Sequence, residues 1–532
     1  MNKIAHVKSI PFLLIVSVWI AVTVNTADAE EYSARIKSLG GRPVAGIIPD
    51  FHTDFINNPA VLADLDRSEI FYRLIDNNTA RLPFYQLNQS WEKTRPLVDH
   101  TSSINGLDIF WGSEASRWKF ALSTILKLGK EESSEPESRY YMDEYRIRLK
   151  ENNADSWKID LTGAYKMSGG TSFGIRAGGY GFYDMTETQY LTTSSSYRSE
   201  YGEKRLYRKS ISDDSRYPNI TVRRVAAYIQ GGVRTVKGKG SFSEISFNIS
   251  TISNFAARKD WNRGYWYYYD RYSGNDYITE HGINADDYSS ASGGRSWVIG
   301  VRGRHRTESG YTFSAEGSYE RCGYDGSRGQ RHEDSEYDYV GEYADERIEK
   351  TYISGEGNSD DISAAFRMGK AQRLNSNLNL HFGLAAFASY TGWKFDPVMD
   401  KSVYRRQDND IYYEKLSDRI SFSSKLNTFS LFVPASIEYK PAAYFTFYSS
   451  LVPDIRCEIL REKVMPPGEG LPENIECLMA NEITTRNIHT DYNIAAGFTI
   501  NYGEKLFIDV YTKSDIIPER LYDLDINIRY LF

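Results

Sequence analysis

The chain contains a few short arrangements whose residue types could do chemistry. Gly170-Thr171-Ser172-Phe173-Gly174 has the spacing of a nucleophile elbow, in which a sharp strand-to-helix turn lifts a serine hydroxyl toward substrate. Here the motif opens a strand-like run just after a Gly169-Gly170 turn, so the helix the elbow needs is missing and Ser172 reads as structural. His489 and Asp491, two apart on one strand face, could activate water, with the imidazole as base near neutral pH. Nothing completes such a site, and a hydrogen-bonded pair on a polar inner face is the favoured reading. Asp408-Asn409-Asp410 offers three oxygen-bearing side chains, short of the roughly six to eight oxygens calcium takes. The eight histidines include no H-E-x-x-H and the three cysteines no C-x-x-C. Neither an enzyme nor a bound metal or cofactor is expected.

Cys457 and Cys477 fall in one predicted loop and could close a ring of about 20 residues, worth on the order of 3 kcal/mol in an oxidising compartment. Cys322 is then left over. Basic pairs such as Arg223-Arg224 and Arg405-Arg406 have acidic neighbours, and a net charge of -7 gives no reason to expect a nucleic-acid partner.

The elements that must position these residues are strands. In Leu521 to Phe532 the residues Tyr522, Leu524, Ile526, Ile528, Tyr530 and Phe532 alternate with Asp523, Asp525, Asn527, Arg529 and Leu531. A strand with that pattern is apolar on one face and largely charged on the other, as a membrane barrel strand between lipid and water must be. His489 to Tyr502 repeats the pattern, with Tyr492, Ile494, Ala496, Phe498 and Ile500 opposite Asp491, Asn493, Gly497, Thr499 and Asn501. Similar runs recur from residue 104 onward, including separate candidates at 139–150 and 156–166, and make about 16 strands, with 14 as the alternative. Every second connector is short, as at 168–170, 236–240, 307–310 and 502–505. Those between are often long: 184–219, 252–292, 324–360, 394–425 and 456–487. Short periplasmic turns alternating with long extracellular loops characterise outer-membrane barrels. The long segments are rich in Tyr, Ser, Asp and Arg, a composition that also suits recognition surfaces.

Lys3 and Lys8, the apolar run 10–24 and Ala27-Asp28-Ala29 read as a cleaved secretory signal over residues 1–29. With a mean hydropathy of -0.52, no later run approaches the ~20 apolar residues of a membrane-spanning helix. The 41 tyrosines, 25 phenylalanines and 9 tryptophans suit strands and interfacial girdles. The expected fold class is all-β. Residues 103–532 would form a transmembrane antiparallel barrel, and the poorly alternating residues 30–102 a small plug or periplasmic segment. Its place would be the cell outer membrane, among outer-membrane lipids.

Asn58, Pro59 and Ala60 lie in that N-terminal segment, with Val61 where glycine is usual. On this motif the chain resembles the fatty-acid-transporter-like outer-membrane barrels, whose N-terminal plug carries Asn-Pro-Ala. The resemblance implies a luminal plug. Tyr530 and Phe532 similarly resemble the terminal signal of bacterial outer-membrane barrels, which implies the barrel assembly machinery as a partner.

Alternation turns Arg146, Arg148, Lys158, Asp160, Lys166, Arg176, Arg302, Arg304, Glu316, Glu320, Arg367, Glu438, Asp491, Asp509, Asp523, Asp525 and Arg529 inward. So many charges demand either a water-filled channel or a plug that pairs with the wall. The function expected from this is passive diffusion of small, polar solutes through a charged lumen. The alternatives are a transporter of hydrophobic compounds and a non-conducting adhesin or receptor.

Overall fold

The structure, a computed structural model, describes residues 33–76, 97–139, 144–167, 169–200, 204–212, 217–238, 240–272, 275–338, 343–407, 410–419, 421–465, 483–503, 505–514 and 521–532. The expected signal segment lies outside them, as do Cys477, Asp408 and Asn409.

The described strands are β1 (Glu69–Asp76), β2 (Leu97–Trp111), β3 (Trp118–Arg139), β4 (Glu144–Lys166), β5 (Thr171–Glu200), β6 (Lys204–Ser212), β7 (Tyr217–Val236), β8 (Phe242–Tyr272), β9 (Asn275–Arg306), β10 (Tyr311–Asp338), β11 (Tyr343–Arg373), β12 (Leu378–Gln407), β13 (Asp410–Arg419), β14 (Ser421–Phe432), β15 (Ala435–Ala442), β16 (Phe445–Met465), β17 (Ile483–Tyr502), β18 (Leu506–Ser514) and β19 (Leu521–Leu531). Each pairs antiparallel with its neighbours, and β1 pairs with both β2 and β19, which closes the sheet into a barrel. β6 and β7 together fill one position between β5 and β8, and β13, β14 and β15 fill one beside β12. The wall therefore has sixteen staves.

Burial alternates as a barrel in lipid requires. On β4, Asp160, Thr162 and Ala164 are buried toward the lumen, while Ile159 and Leu161 on either side of Asp160 are 52% and 65% exposed. Trp118, Phe120, Ile175, Ile229, Ile249, Ile299 and Phe366 continue the exposed apolar belt around the outside. A closed barrel with such a belt is an outer-membrane protein.

The strand count agrees with the sequence, but two of its parts do not. The candidates at 139–150 and 156–166 are not separate strands: β4 runs unbroken from Glu144 through to Lys166. The missing stave is β1, within the segment assigned to the plug, so the wall begins at Glu69 instead of residue 103. β1 escaped notice because it is only eight residues long.

The long loops also differ from expectation. Most of 184–219, 252–292, 324–360 and 394–425 is strand, and β8 to β12 run 28 to 32 residues each. At roughly 3.3 Å per residue the longest reach about 100 Å, far more than a bilayer core needs. Period-two alternation in the sequence marks only the stretch where one face meets lipid. Higher up both faces meet water, so the pattern fades while the hydrogen-bonded ladder continues. Short turns join staves at the opposite end, as at 112–117, 307–310, 374–377 and 443–444.

Candidate functional site

Three short helical elements form a plug inside the short-turn end of the barrel. Ser33 caps α1 (Ala34–Ser38) by accepting from the Ile36 amide, and Asp50 caps α2 (Phe51–Asn57) by accepting from the Thr53 amide at 2.9 Å. Asn58 caps a 3-10 helix (Pro59–Asp64), its Oδ1 accepting from the Ala60 amide at 3.0 Å. Pro59 suits the first helical position because its missing N–H would have had no intrahelical acceptor.

Helices this short leave most of their terminal carbonyls without partners. The wall supplies them. Arg176 of β5 donates to the Phe55 and Ile56 carbonyls, each at 2.8 Å, while Gln230 of β7 and Ser246 of β8 both donate to the Asn57 carbonyl at 2.8 Å. Ser172 donates to the Ala60 carbonyl at 3.2 Å, so its hydroxyl seats the plug, and no elbow exposes it. Lys119 of β3 donates to the Leu65 carbonyl.

Charge does the rest. Asp54 pairs with Arg304, Arg304 with Glu244 at 2.7 Å, Glu244 with Arg234 at 2.9 Å, and Arg234 with Asp64 at 2.9 Å, so the wall ties α2 to the end of the 3-10 helix. On the opposite side Arg35 meets Glu438 at 3.0 Å and Asp50 at 3.7 Å, and donates to the Pro49 carbonyl. Burial disfavours the Arg35 cation, but Glu438 and Asp50 outweigh it and hold its proton more tightly than in free arginine. Burial likewise opposes the Asp50 anion, yet Arg35, His52 and the Thr53 amide keep Asp50 below the usual carboxylate range. For Asp64 burial wins over Arg234, and its pKa is raised. His52 stacks on Phe71 with ring centres 3.8 Å apart and reaches Glu69 at 2.9 Å.

The plug touches the whole perimeter. Besides the bonds above, Phe55 packs on Phe110 of β2, Gly46 lies beside Arg302 and Ser314, and Ile47 packs on Gly369 and Gly383. Arg42 lies over the Phe387 ring, Ser436 donates to the Leu39 carbonyl, and α1 packs on β16 to β19. A small crevice remains beside it, lined by Phe55, Ile56, Arg73, Ser123, Ile125, Lys158, Asp160 and Arg176.

Of the predicted lumen residues, Asp160 is buried beside Arg176 at 3.4 Å, and Lys158 stands over Tyr228. Arg367 and Arg302 reach Glu316 at 2.7 and 3.7 Å, and Glu438 holds Arg35. Asp509 accepts from Thr499, and Arg529 lies over Phe507. Asp491 is exposed at the mouth, where no hydrogen bond joins it to His489. The side chains of Arg146, Arg148, Asp523 and Asp525 lie outside the described set, while Tyr530 and Phe532 stack on the exterior. Cys457 sits in β16 opposite Ile488, not in a loop. Sequence reasoning singled out Asn58, Pro59 and Ala60 but missed Arg35, Asp54, Asp64, Glu244 and Arg234. These pairs join residues up to hundreds of positions apart, and the only local traces were the caps Ser33, Asp50 and Asn58.

No family model matches the chain, and no curated protein matches it. Among solved structures, the toluene transporter TbuX of Ralstonia pickettii is 11% identical over 95% of this chain and 100% of that one, with a TM-score of 0.31. The Pseudomonas putida toluene transporter TodX is 11% identical over 94% and 96%, with a TM-score of 0.27. A Pseudomonas aeruginosa FadL homologue is 10% identical over 95% and 98%, with a TM-score of 0.26. Superposition this loose adds nothing to what the geometry establishes. By that geometry the chain is a sixteen-stranded outer-membrane barrel with a plug bonded into its short-turn end.

Proposed function

We propose that this protein is an outer-membrane transporter for small, largely apolar solutes, and that the resident plug determines what passes. The carrying observation is that the plug is bonded to the wall on opposite sides of the lumen. An open charged channel, the reading favoured by sequence, would leave the luminal charges to water; here many of them are used in bonds to the plug. A freely diffusing polar solute then has no wide aqueous path at that level. The crevice beside α2, where Phe55, Ile56 and Ile125 meet Arg73, Ser123, Lys158, Asp160 and Arg176, has room for about one water, so a solute passes only when the plug shifts.

The test compares two measurements on the full chain. Reconstituted in liposomes, it should give no osmotic swelling with sugars or amino acids. In outer-membrane vesicles it should speed the arrival of a small aromatic hydrocarbon in the interior. Swelling at porin-like rates with the plug in place would overturn the reading.

A further inference from the structure

Well above the plug, the inner face of the wall carries three aromatic side chains. The rings of Tyr324 on β10 and of Trp393 and Phe395 on β12 lie within 24° of parallel, with centres 6.0 to 6.2 Å apart in every pairing. A column of three rings would separate the outer two by twice the step. Equal spacings mean that the rings spread as one surface. The sheet register provides the room: Gly294, Tyr324, Gly357 and Phe395 are successive partners across β9 to β12. A Cβ on Gly357 would lie 2.4 Å from the Tyr324 ring, and one on Gly326 would lie 3.6 Å from the Phe395 ring, so the rings rest on glycine backbone. Tyr324 is pinned by its hydroxyl, which donates to the Lys394 carbonyl at 2.8 Å. Phe395 is buried, while Tyr324 and Trp393 keep part of their surface open to the lumen.

Nearer the plug on the same inward face, Glu320 of β10 and Asp361 of β11 stand directly opposite each other. Asp361 in turn faces Thr391, two residues from Trp393. Like charges in directly opposed positions repel. Among the described residues neither carboxylate forms an ion pair with a basic side chain. Arg224 of β7 reaches toward Cys322, between the rings and the acids, but pairs with neither carboxylate, so the acids beside the ring surface can take up a further cation.

We propose that Tyr324, Trp393, Glu320 and Asp361 bind an organic cation, a quaternary ammonium or a protonated amine, on the outer side of the plug. The ring faces attract the cation through their quadrupoles and accept its methyl groups, and the carboxylates supply the net charge. This site lies well away from the crevice at the plug, and binding there requires no transport.

The probe is choline, titrated by calorimetry into the full-length protein in detergent, against its neutral isostere 3,3-dimethyl-1-butanol. Choline should bind, and the isostere at least tenfold more weakly. Trp393→Leu and the double variant Glu320→Gln/Asp361→Asn should each weaken choline at least tenfold, while Trp393→Phe keeps most of the affinity. Heat-dependent gel mobility checks that each variant folds, and if Trp393→Leu does not fold, the carboxylate variant decides. Equal binding of the isostere, choline binding that survives the carboxylate variant, or no binding of choline would each overturn the site. So would calcium binding to the acids at the same affinity in wild type and Trp393→Phe with choline unable to compete.

Discussion

Gly174 and Gly232 are direct partners across β5 and β7, and the Asn58–Ala60 turn fills the space their side chains would take. A Cβ on Gly174 would stand 2.3 Å from the Pro59 carbonyl carbon, and one on Gly232 would stand 1.9 Å from Asn58 Oδ1. The two clashes differ in kind, because one meets backbone and the other the end of a side chain. Gly174→Ala should therefore unseat the turn at a cost of about 1–3 kcal/mol. Gly232→Ala can be relieved by swinging the Asn58 amide aside, losing the cap at about 1 kcal/mol, as Asn58→Ala would. Limited proteolysis of the plug, with heat-dependent mobility as the control for the barrel, should rank Gly174→Ala as the most cleavable of the three.

Arg304 is shared by Asp54 and Glu244 with almost no solvent contact. Removing one partner of a buried pair leaves the other charge uncompensated, so Arg304→Met should destabilise the plug by about 3–5 kcal/mol. Adding Asp54→Asn should recover much of that loss, because Glu244 keeps Arg234 at 2.9 Å. If the double variant is no more protected from proteolysis than Arg304→Met, this pair is not what holds the plug.

Acid should loosen the plug through Asp50. Its folded pKa lies below the unfolded value of about 3.9, so its stabilisation is present above roughly pH 4 and is lost as the pH falls through the folded value. Hydrogen exchange of the Thr53 and Asp54 amides should quicken in that window. Arg35→Met removes the main opposing charge and should shift the onset to higher pH, whereas an unchanged onset would mean that another carboxylate controls the step.

Amides of residues 253–272 and 275–292 provide a direct check on the height of the wall. As ladder partners in β8 and β9 they should exchange orders of magnitude more slowly than loop amides. Free exchange throughout that range would restore the long loop expected from composition.

Alternation of apolar and charged residues was enough to identify the barrel, its outward face and the short turns, because lipid on one side of a strand imposes a period of two. Leu161 and Asp160 could be placed on opposite faces from the sequence alone, and the structure agrees. The same signal vanished wherever both faces meet water, which is why residues 252–292 looked like loop. It was also weak in an element as short as β1.

Asn58-Pro59-Ala60 pointed to a plug, but its seat could not be read from the chain. Gly174 and Gly232 are ordinary strand glycines until the fold brings them to face that turn, and Tyr324 meets Trp393 only because Gly357 lies between their strands. Local sequence determines which face a residue takes. Only closure of the wall decided which charge Arg304 or Arg35 would find across the lumen, and with it whether that lumen holds a channel or a plug.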